Sequence, residues 1–170
     1  MSPHVLGLDP GSRYTGWGVI ALDGSRSRYL GCGRIALPAQ LSLAERLGRL
    51  AGELEALVAE WRPAAAALEE PFHGVNSRSL IVLAQARGAL LATLARSAVP
   101  VAEYSPAEVK SAVTGSGRAD KEQVARMVAV LLPGCRQAVA DAADALAVAL
   151  TYAARRPLER AAARALTPLP

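Results

Sequence analysis

The sequence predicts an α/β domain in which helices flank a mixed five-stranded sheet, and two patterns support this fold class. Three short apolar segments near the start are separated only by turn residues, which is typical of antiparallel strands. Two later apolar segments alternate with helical patterns, which predicts two parallel additions to the same sheet. The predicted element order is β-β-β-α-β-α-β-α-α, and the length is that of one ordinary domain.

The first three predicted strands come in quick succession. Residues 4–9 form an apolar run that ends in an acid and is followed by Pro-Gly-Ser. Residues 15–23 and 28–37 are predicted as two further strands, joined by a turn near Asp23 and Gly24. The short connections between them indicate an antiparallel meander.

The next two elements are delimited by a cap and by prolines. Ser42 and Glu45 form a capping box, and leucines recur at helical spacing until Pro63 ends the helix. Residues 64–69 form an apolar run that ends in a glutamate. Its alanines would also suit a helix, but Pro63 and Pro71 leave room only for a strand.

Residues 77–97 predict a helix that is apolar on nearly every side. Such a helix needs cover all round, and a domain of this size rarely supplies that cover by itself. We therefore expect a subunit interface along this helix. The alternative is a central helix that its own chain buries entirely.

The remaining elements carry similar signals. Residues 99–104 predict the fifth strand, and the segment Ser105-Pro106-Ala107-Glu108 predicts a helix start with proline at the first helical position. A loop containing glycine then leads to a helix capped by Asp120. A last helix is predicted from about Val139 to Ala154.

Composition and charge narrow the class of protein. We expect one domain over residues 1–156 and a flexible Arg/Ala/Pro-rich tail over residues 157–170. Most of the net charge of +4 comes from the last 16 residues, so the charge alone does not indicate nucleic-acid binding. Cys32 and Cys135 are too few for a disulfide framework. The start is too short and polar for a signal peptide, and no apolar run reaches the roughly 20 residues of a membrane span, so we expect a cytoplasmic protein without membrane contact.

Four acids stand out by position. Asp9 ends the first predicted strand and Glu69 ends the fourth, while Asp141 and Asp144 project from one face of the last helix. Crowded carboxylates are costly unless cations occupy the site, and oxygen ligands favour Mg²⁺ or Mn²⁺ over Zn²⁺. Two such ions, about 3.5–4 Å apart, suit in-line phosphodiester hydrolysis. Taken singly, each acid could instead be a turn residue, a solvated strand end or a partner of the helix dipole.

Five segments, in order, resemble a known family. They are L-G-L-D-P-G-S-R-x-T-G-W-G-V-I at residues 6–20, A-L-E-E-P-F at 67–72, L-A-Q-A-R-G at 83–88, V-K-S-A-V-T-G-S-G-R-A-D-K at 109–121 and A-D-A-A-D-A-L-A-V-A at 140–149. Over roughly residues 4–153 the chain resembles the RuvC family of Holliday-junction resolvases. Several motifs in the right order are far more specific than any one of them.

The resemblance implies an RNase H-like fold and a homodimer that resolves four-way DNA junctions. Each subunit would nick one of two opposed strands, leaving 5′-phosphate and 3′-hydroxyl ends, in recombination and DNA repair. The implied cofactors are Mg²⁺ or Mn²⁺ ions, two per active site, and the implied partner is the RuvA/RuvB branch-migration complex. The residues at the family's catalytic and metal-binding positions are Asp9, Glu69, Asp141 and Asp144.

Further residues fall at family positions that meet DNA. Lys110 and Lys121 are the only lysines, and an ammonium near the scissile phosphate would stabilise developing charge. Phe72, the only phenylalanine, falls where the family has an aromatic that stacks on DNA bases. The alternatives are solvated lysines and a phenylalanine folded onto the core. The expected phosphate contacts are Arg13, Arg78 and Arg118.

Three other functions remain open from the sequence. A YqgF-like nuclease acting on structured RNA shares the opening motif, although the segment with both lysines and the paired acids of the last helix argue against it. An ATP-binding domain of the actin and sugar-kinase type would need a second domain. A junction-binding protein without catalysis is the third, although all four acids are present.

Overall fold

A computed structural model describes the backbone of residues 2–70, 77–135 and 138–166, and the side chains of residues 2–70, 80–135 and 138–156. The strands are β1 (His4–Asp9), β2 (Tyr14–Asp23), β3 (Arg26–Ala36), β4 (Ala65–Glu69) and β5 (Val101–Tyr104). The helices are α1 (Leu43–Trp61), α2 (Ser77–Arg96), α3 (Pro106–Thr114), α4 (Lys121–Leu131) and α5 (Ala140–Leu166), with a 3₁₀ turn at Pro133–Cys135.

The five strands form one mixed sheet in the order β3-β2-β1-β4-β5. The first three strands are antiparallel neighbours, and β4 and β5 are added in parallel beside β1, so the predicted sheet is confirmed. Leu8 pairs with Leu68 across β1 and β4. The strand ends that carry Asp9 and Glu69 therefore lie side by side.

The sheet is covered on both faces, which accounts for the apolar strands. On one face, Val5 and Ile20 pack with the buried side of α5 and with α3 and α4. On the other face, Leu6 and Val19 pack with α1 and α2. Alternate residues of each strand point to opposite faces, so Asp9 shares its face with Val5 and faces α5.

The predicted helix starts are confirmed. The Ser42 side chain accepts from the Glu45 amide at the start of α1, and Ser105 and Glu108 form the same capping box before α3. Asp120 caps α4 by accepting from the Gln123 amide. Each cap satisfies a backbone N–H group that would otherwise have no partner in the helix.

The two longest helices differ from expectation. The chain buries α2 on one side, through residues such as Leu90 and Leu94, and leaves Leu80 37% and Ile81 58% exposed. The alternative of complete burial within one chain is therefore wrong, and the subunit interface stays a prediction. The helix α5 does not end near Ala154, because its backbone continues to Leu166.

Among the described helices, none is long and apolar enough to cross a membrane.

Glycines in β1 and β2 let α5 lie directly on the sheet. A Cβ atom on Gly7 would overlap the Ala145 carbonyl, and one on Gly16 would overlap the Asp141 carbonyl. A Cβ atom on Gly18 would come within 2.6 Å of the Leu146 side chain. A side chain at these strand positions would hold α5 away from the sheet, so the glycines set the height at which its first turns pass over Asp9.

We predict that Gly16→Ala destabilises the protein by about 2–3 kcal/mol, because the methyl group must displace the start of α5. Thermal unfolding followed by circular dichroism should show a melting temperature lower by about 5 °C or more. The matched control is Gly52→Ala in α1, where an added Cβ meets nothing within 4 Å. That control should be neutral or stabilise by up to about 1 kcal/mol. A Gly16→Ala variant as stable as the wild type would contradict this packing.

Candidate active site

Three secondary-structure elements bring the predicted acids to one end of the sheet. Asp9 ends β1 and Glu69 ends β4, and these strands are parallel neighbours. Asp141 and Asp144 lie in the first turns of α5, which passes over Gly16, the β2 partner of Asp9. The acids that the sequence singled out from three separate regions are thus neighbours in the fold.

Burial and the proximity of these carboxylates raise the pKa of the two strand-end acids. Burial, followed by the charges of Asp144 and Glu69, raises the pKa of Asp9 from 3.8 to about 7. Burial and the charge of Asp144 also raise the pKa of Glu69. Like charges held together in a poorly solvated place disfavour ionisation. This site therefore takes up a proton unless another cation compensates its charge.

The two lysines of the chain lie near these acids. The Lys121 Nζ atom is 3.2 Å from Oδ2 of Asp144, and that carboxylate raises the pKa of Lys121. Lys121 in turn lowers the pKa of both Asp9 and Glu69, although less than burial raises it. Lys110 is near enough to Glu69 to lower the pKa of that carboxyl. The lysines offset only part of the negative charge.

The other predicted site residues lie further out. Of the neighbouring charges that shift the pKa of Asp9, that of Asp141 has the smallest effect. Arg13 is exposed on the loop between β1 and β2. Arg118 lies outside this cluster and lines a surface cleft of about 490 Å³ together with Arg126. Two predicted DNA contacts lie outside the described side chains, namely Phe72 and Arg78.

One residue that positions the site escaped the sequence analysis. Arg87 of α2 donates from Nη1 to the backbone carbonyl of Glu69 at 2.8 Å, and its other nitrogen forms an ion pair with Glu103 of β5. The Arg87 side chain is 13% exposed. It therefore ties α2 to the strand end that carries Glu69. The signal was a single cation in the middle of an otherwise apolar helix.

The donor set is chemically suited to hard divalent cations. Carboxylate oxygens are the ligands that Mg²⁺ and Mn²⁺ prefer, and a bound cation would remove the repulsion that raises the pKa of Asp9. Among the side chains that the structure describes, no three His, Cys, Asp or Glu groups lie close enough together to hold a metal ion in their present positions. Instead, the Lys121 ammonium contacts Asp144.

Sequence comparisons identify the family. The family model described as crossover junction endodeoxyribonuclease RuvC matches residues 5–152. A protein of that name from Paramagnetospirillum magneticum is 49% identical, over 96% of this chain and 98% of its own. Another from Anaeromyxobacter dehalogenans is 48% identical, over 89% of this chain and 81% of its own.

Structural comparisons agree with the sequence. The chain is similar to Thermus thermophilus RuvC, with a TM-score of 0.83 and 35% identity over 92% of this chain and 96% of the other. It is similar also to T. thermophilus RuvC in complex with Holliday junction substrate, with a TM-score of 0.85, 35% identity and the same coverage. A yeast mitochondrial Holliday junction resolvase shares the fold with a TM-score of 0.68 at 13% identity, covering 98% of this chain and 85% of that one. The fold is RNase H-like, as the resemblance implied.

We predict that Asp9→Asn stabilises the metal-free protein at high pH. The folded-state pKa of about 7 exceeds the ordinary 3.8, so the folded state holds a proton that the unfolded state lacks between these values. The free energy of unfolding therefore falls as pH rises from about 4 to about 7, by at most about 4 kcal/mol. Asparagine removes this loss because it carries no charge.

The measurement is thermal unfolding in EDTA at pH 5 and pH 8. The melting temperature of Asp9→Asn should exceed that of the wild type at pH 8, and the difference should shrink at pH 5. Asp23→Asn, which alters an exposed carboxylate at the end of β2, should match the wild type at both values. A wild type more stable than Asp9→Asn at pH 8 would show that Asp9 is not electrostatically strained.

Proposed function

The chain belongs to the RuvC family of crossover junction endodeoxyribonucleases, and we infer that its strand-end and α5 carboxylates cut four-way DNA junctions. The observation that carries this assignment is the burial of Asp9 beside two further carboxylates, which raises its pKa to about 7. Such an electrostatically unfavourable arrangement is typical of a functional site, in which the carboxylates bind cations and the cations bind the phosphodiester. The family match over most of the chain leaves the RNA-nuclease and ATP-binding alternatives without support.

The enzyme is a divalent-metal-dependent nuclease, and we assign Mg²⁺ or Mn²⁺, two per active site, as its cofactors. When bound, these ions lower the pKa of a water for in-line attack on phosphorus and stabilise the leaving oxygen. Asp9 and Glu69 lie on adjacent strand ends and face α5. Burial and neighbouring carboxylates raise the pKa of both. The side chains that would hold the ions are Asp9, Glu69, Asp141 and Asp144.

The chain's own residues contribute positioning and charge. Arg87 fixes the end of β4 through the Glu69 carbonyl, so the Glu69 carboxylate is held at a defined height beside Asp9. The Lys121 side chain is 85% exposed, so its ammonium can leave Asp144 for a phosphate oxygen of the DNA. Lys110, beside Glu69, adds positive charge on the same side. Together they stabilise the additional negative charge that develops on the phosphate oxygens as phosphorus is attacked.

Paired symmetric nicks require two active sites, and α2 is the surface that we assign to the homodimer. Leu80 is 37% and Ile81 58% exposed on this helix, and a second copy would cover them. Arg87 lies on the same helix, so the proposed interface and Glu69 are mechanically connected. Phe72, Arg13, Arg78 and Arg118 remain proposed DNA contacts, and RuvA/RuvB the proposed partner complex. The division at residue 157 between the domain and a flexible tail also remains a proposal, although the helical backbone of α5 crosses this boundary and continues to Leu166.

The function is tested on a labelled synthetic four-way junction and a linear duplex of the same sequence, each with Mg²⁺, Mn²⁺ or EDTA. We expect paired nicks in the junction alone, in the presence of metal, with ends that DNA ligase can rejoin. Asp9→Asn and Glu69→Gln should reduce the rate by at least about a thousandfold, comparable to the loss of a main transition-state interaction. Junction binding in EDTA should survive in both variants.

Glu60→Gln is the matched control, since Glu60 is an exposed carboxylate on α1, and it should cleave at the wild-type rate. Folded wild-type protein that leaves the junction intact with both metals would refute the function. Binding without nicking would instead favour the junction-binding protein that lacks catalysis.

A further inference from the structure

An arginine and a tyrosine form an exposed pair near the candidate active site. The Cζ atom of Arg34 lies 4.2 Å from the centroid of the Tyr14 ring, within the range of a cation–π contact. Tyr14 is 38% exposed and Arg34 is exposed. A large aromatic left at the surface of a chain with only 4% aromatic residues needs an explanation.

The strand register places this pair on the same face of the sheet as the acids. Gly16 pairs with Asp9 on one side and with Arg34 on the other, so the three residues form a row across β1, β2 and β3. Tyr14 lies two residues before Gly16 and therefore points to the same face. Two strand spacings separate Asp9 from Arg34, which is about 10 Å between Cα atoms.

The surrounding backbone is held in place. The Leu37 amide donates to the Arg13 carbonyl at 2.8 Å, and the Arg46 guanidinium donates to the Ser12 carbonyl. Beside them, Arg13, Tyr14 and residues 36–40 line an open groove of about 300 Å³. A ligand entering this groove would meet a prearranged surface and would not have to order the loop.

The charge of this surface is uncompensated by the protein. Among the described side chains, neither Arg13 nor Arg34 takes part in an ion pair. A guanidinium placed over an aromatic ring, with a second arginine at the groove, suits a ligand that is both planar and anionic. A nucleotide has both properties, because its base stacks and its phosphate carries charge.

We propose that Tyr14 and Arg34 form a stacking platform for one unstacked base of the cut DNA strand, and that Arg13 contacts a neighbouring phosphate. The proposal rests on the proposed function, because the position of the DNA follows from cleavage at Asp9. At 3.4 Å per nucleotide, the 10 Å between Asp9 and Arg34 corresponds to about two to three nucleotides. This site lies across β2 and β3, on the opposite side of β1 from β4.

The experiment measures junction binding by fluorescence anisotropy in EDTA, where cleavage does not interfere. Tyr14→Ala and Arg34→Gln should each raise the Kd about five- to tenfold, and Tyr14→Phe, which keeps the ring, should restore binding to within about twofold of the wild type. The fluorescent adenine analogue 2-aminopurine is placed in turn one to five nucleotides from the cut. Its emission should change on binding at the second or third position, and Tyr14→Ala should abolish that change.

Arg28→Ala is the matched control, because Arg28 is an exposed arginine at the other end of β3. It should leave both the Kd and the 2-aminopurine signal as in the wild type. An equal loss of affinity in Arg28→Ala, or an unchanged 2-aminopurine signal in Tyr14→Ala, would overturn the platform. Wild-type junction cleavage in the same preparation would show that the proposed function stands even so. Arg34→Gln keeps the test valid should Tyr14→Ala melt at a lower temperature than the wild type.

Discussion

The close approach of α5 to the sheet is the constraint on which the rest of the structure depends. Gly7 and Gly16 leave no side chain between the strands and the carbonyls of Ala145 and Asp141. Where α5 meets the strands it is rich in alanine, so small residues on both the helix and the sheet allow close packing. With α5 at this height, Asp144 lies near enough to raise the pKa of both strand-end acids. Packing thus produces the electrostatic strain of the site.

That strain links the fold to catalysis. A fold that forces carboxylates together loses stability without cations and regains it when cations bind. Lys121, through its contact with Asp144, supplies part of the missing charge. Divalent cations would supply the remainder, so the same repulsion that weakens the metal-free protein favours the binding of cations at the site. Arg87 contributes in a different way, because its hydrogen bond to the Glu69 carbonyl restrains the end of β4 from the side of α2.

The sequence predicted most of the helices and strands, but it did not predict the contacts between them. Capping boxes and prolines are local signals, so the start of α1 and the single-strand nature of residues 64–69 were predictable. The continuation of α5 past Ala154 was missed, because the apolar pattern that indicated the helix ends there while the backbone continues to Leu166. The four acids were found from their positions at strand ends and on one helix face. The bond from Arg87 to the Glu69 carbonyl depends on how α2 packs, which no local pattern specifies. The Tyr14–Arg34 contact likewise follows only from strand register.

The central claim is that the partly buried Asp9 carboxyl loses its proton to the buffer when a divalent cation binds, and calorimetry tests it directly. Mn²⁺ is titrated into the protein at pH 6 and pH 9, in pairs of buffers with different ionisation enthalpies. With a pKa of about 7 for Asp9, binding should release about one proton per site at pH 6 and almost none at pH 9. Asp9→Asn should release clearly fewer protons than the wild type at pH 6. Mn²⁺ binding to the wild type at pH 6 without proton release, or equally tight binding to Asp9→Asn, would contradict the account.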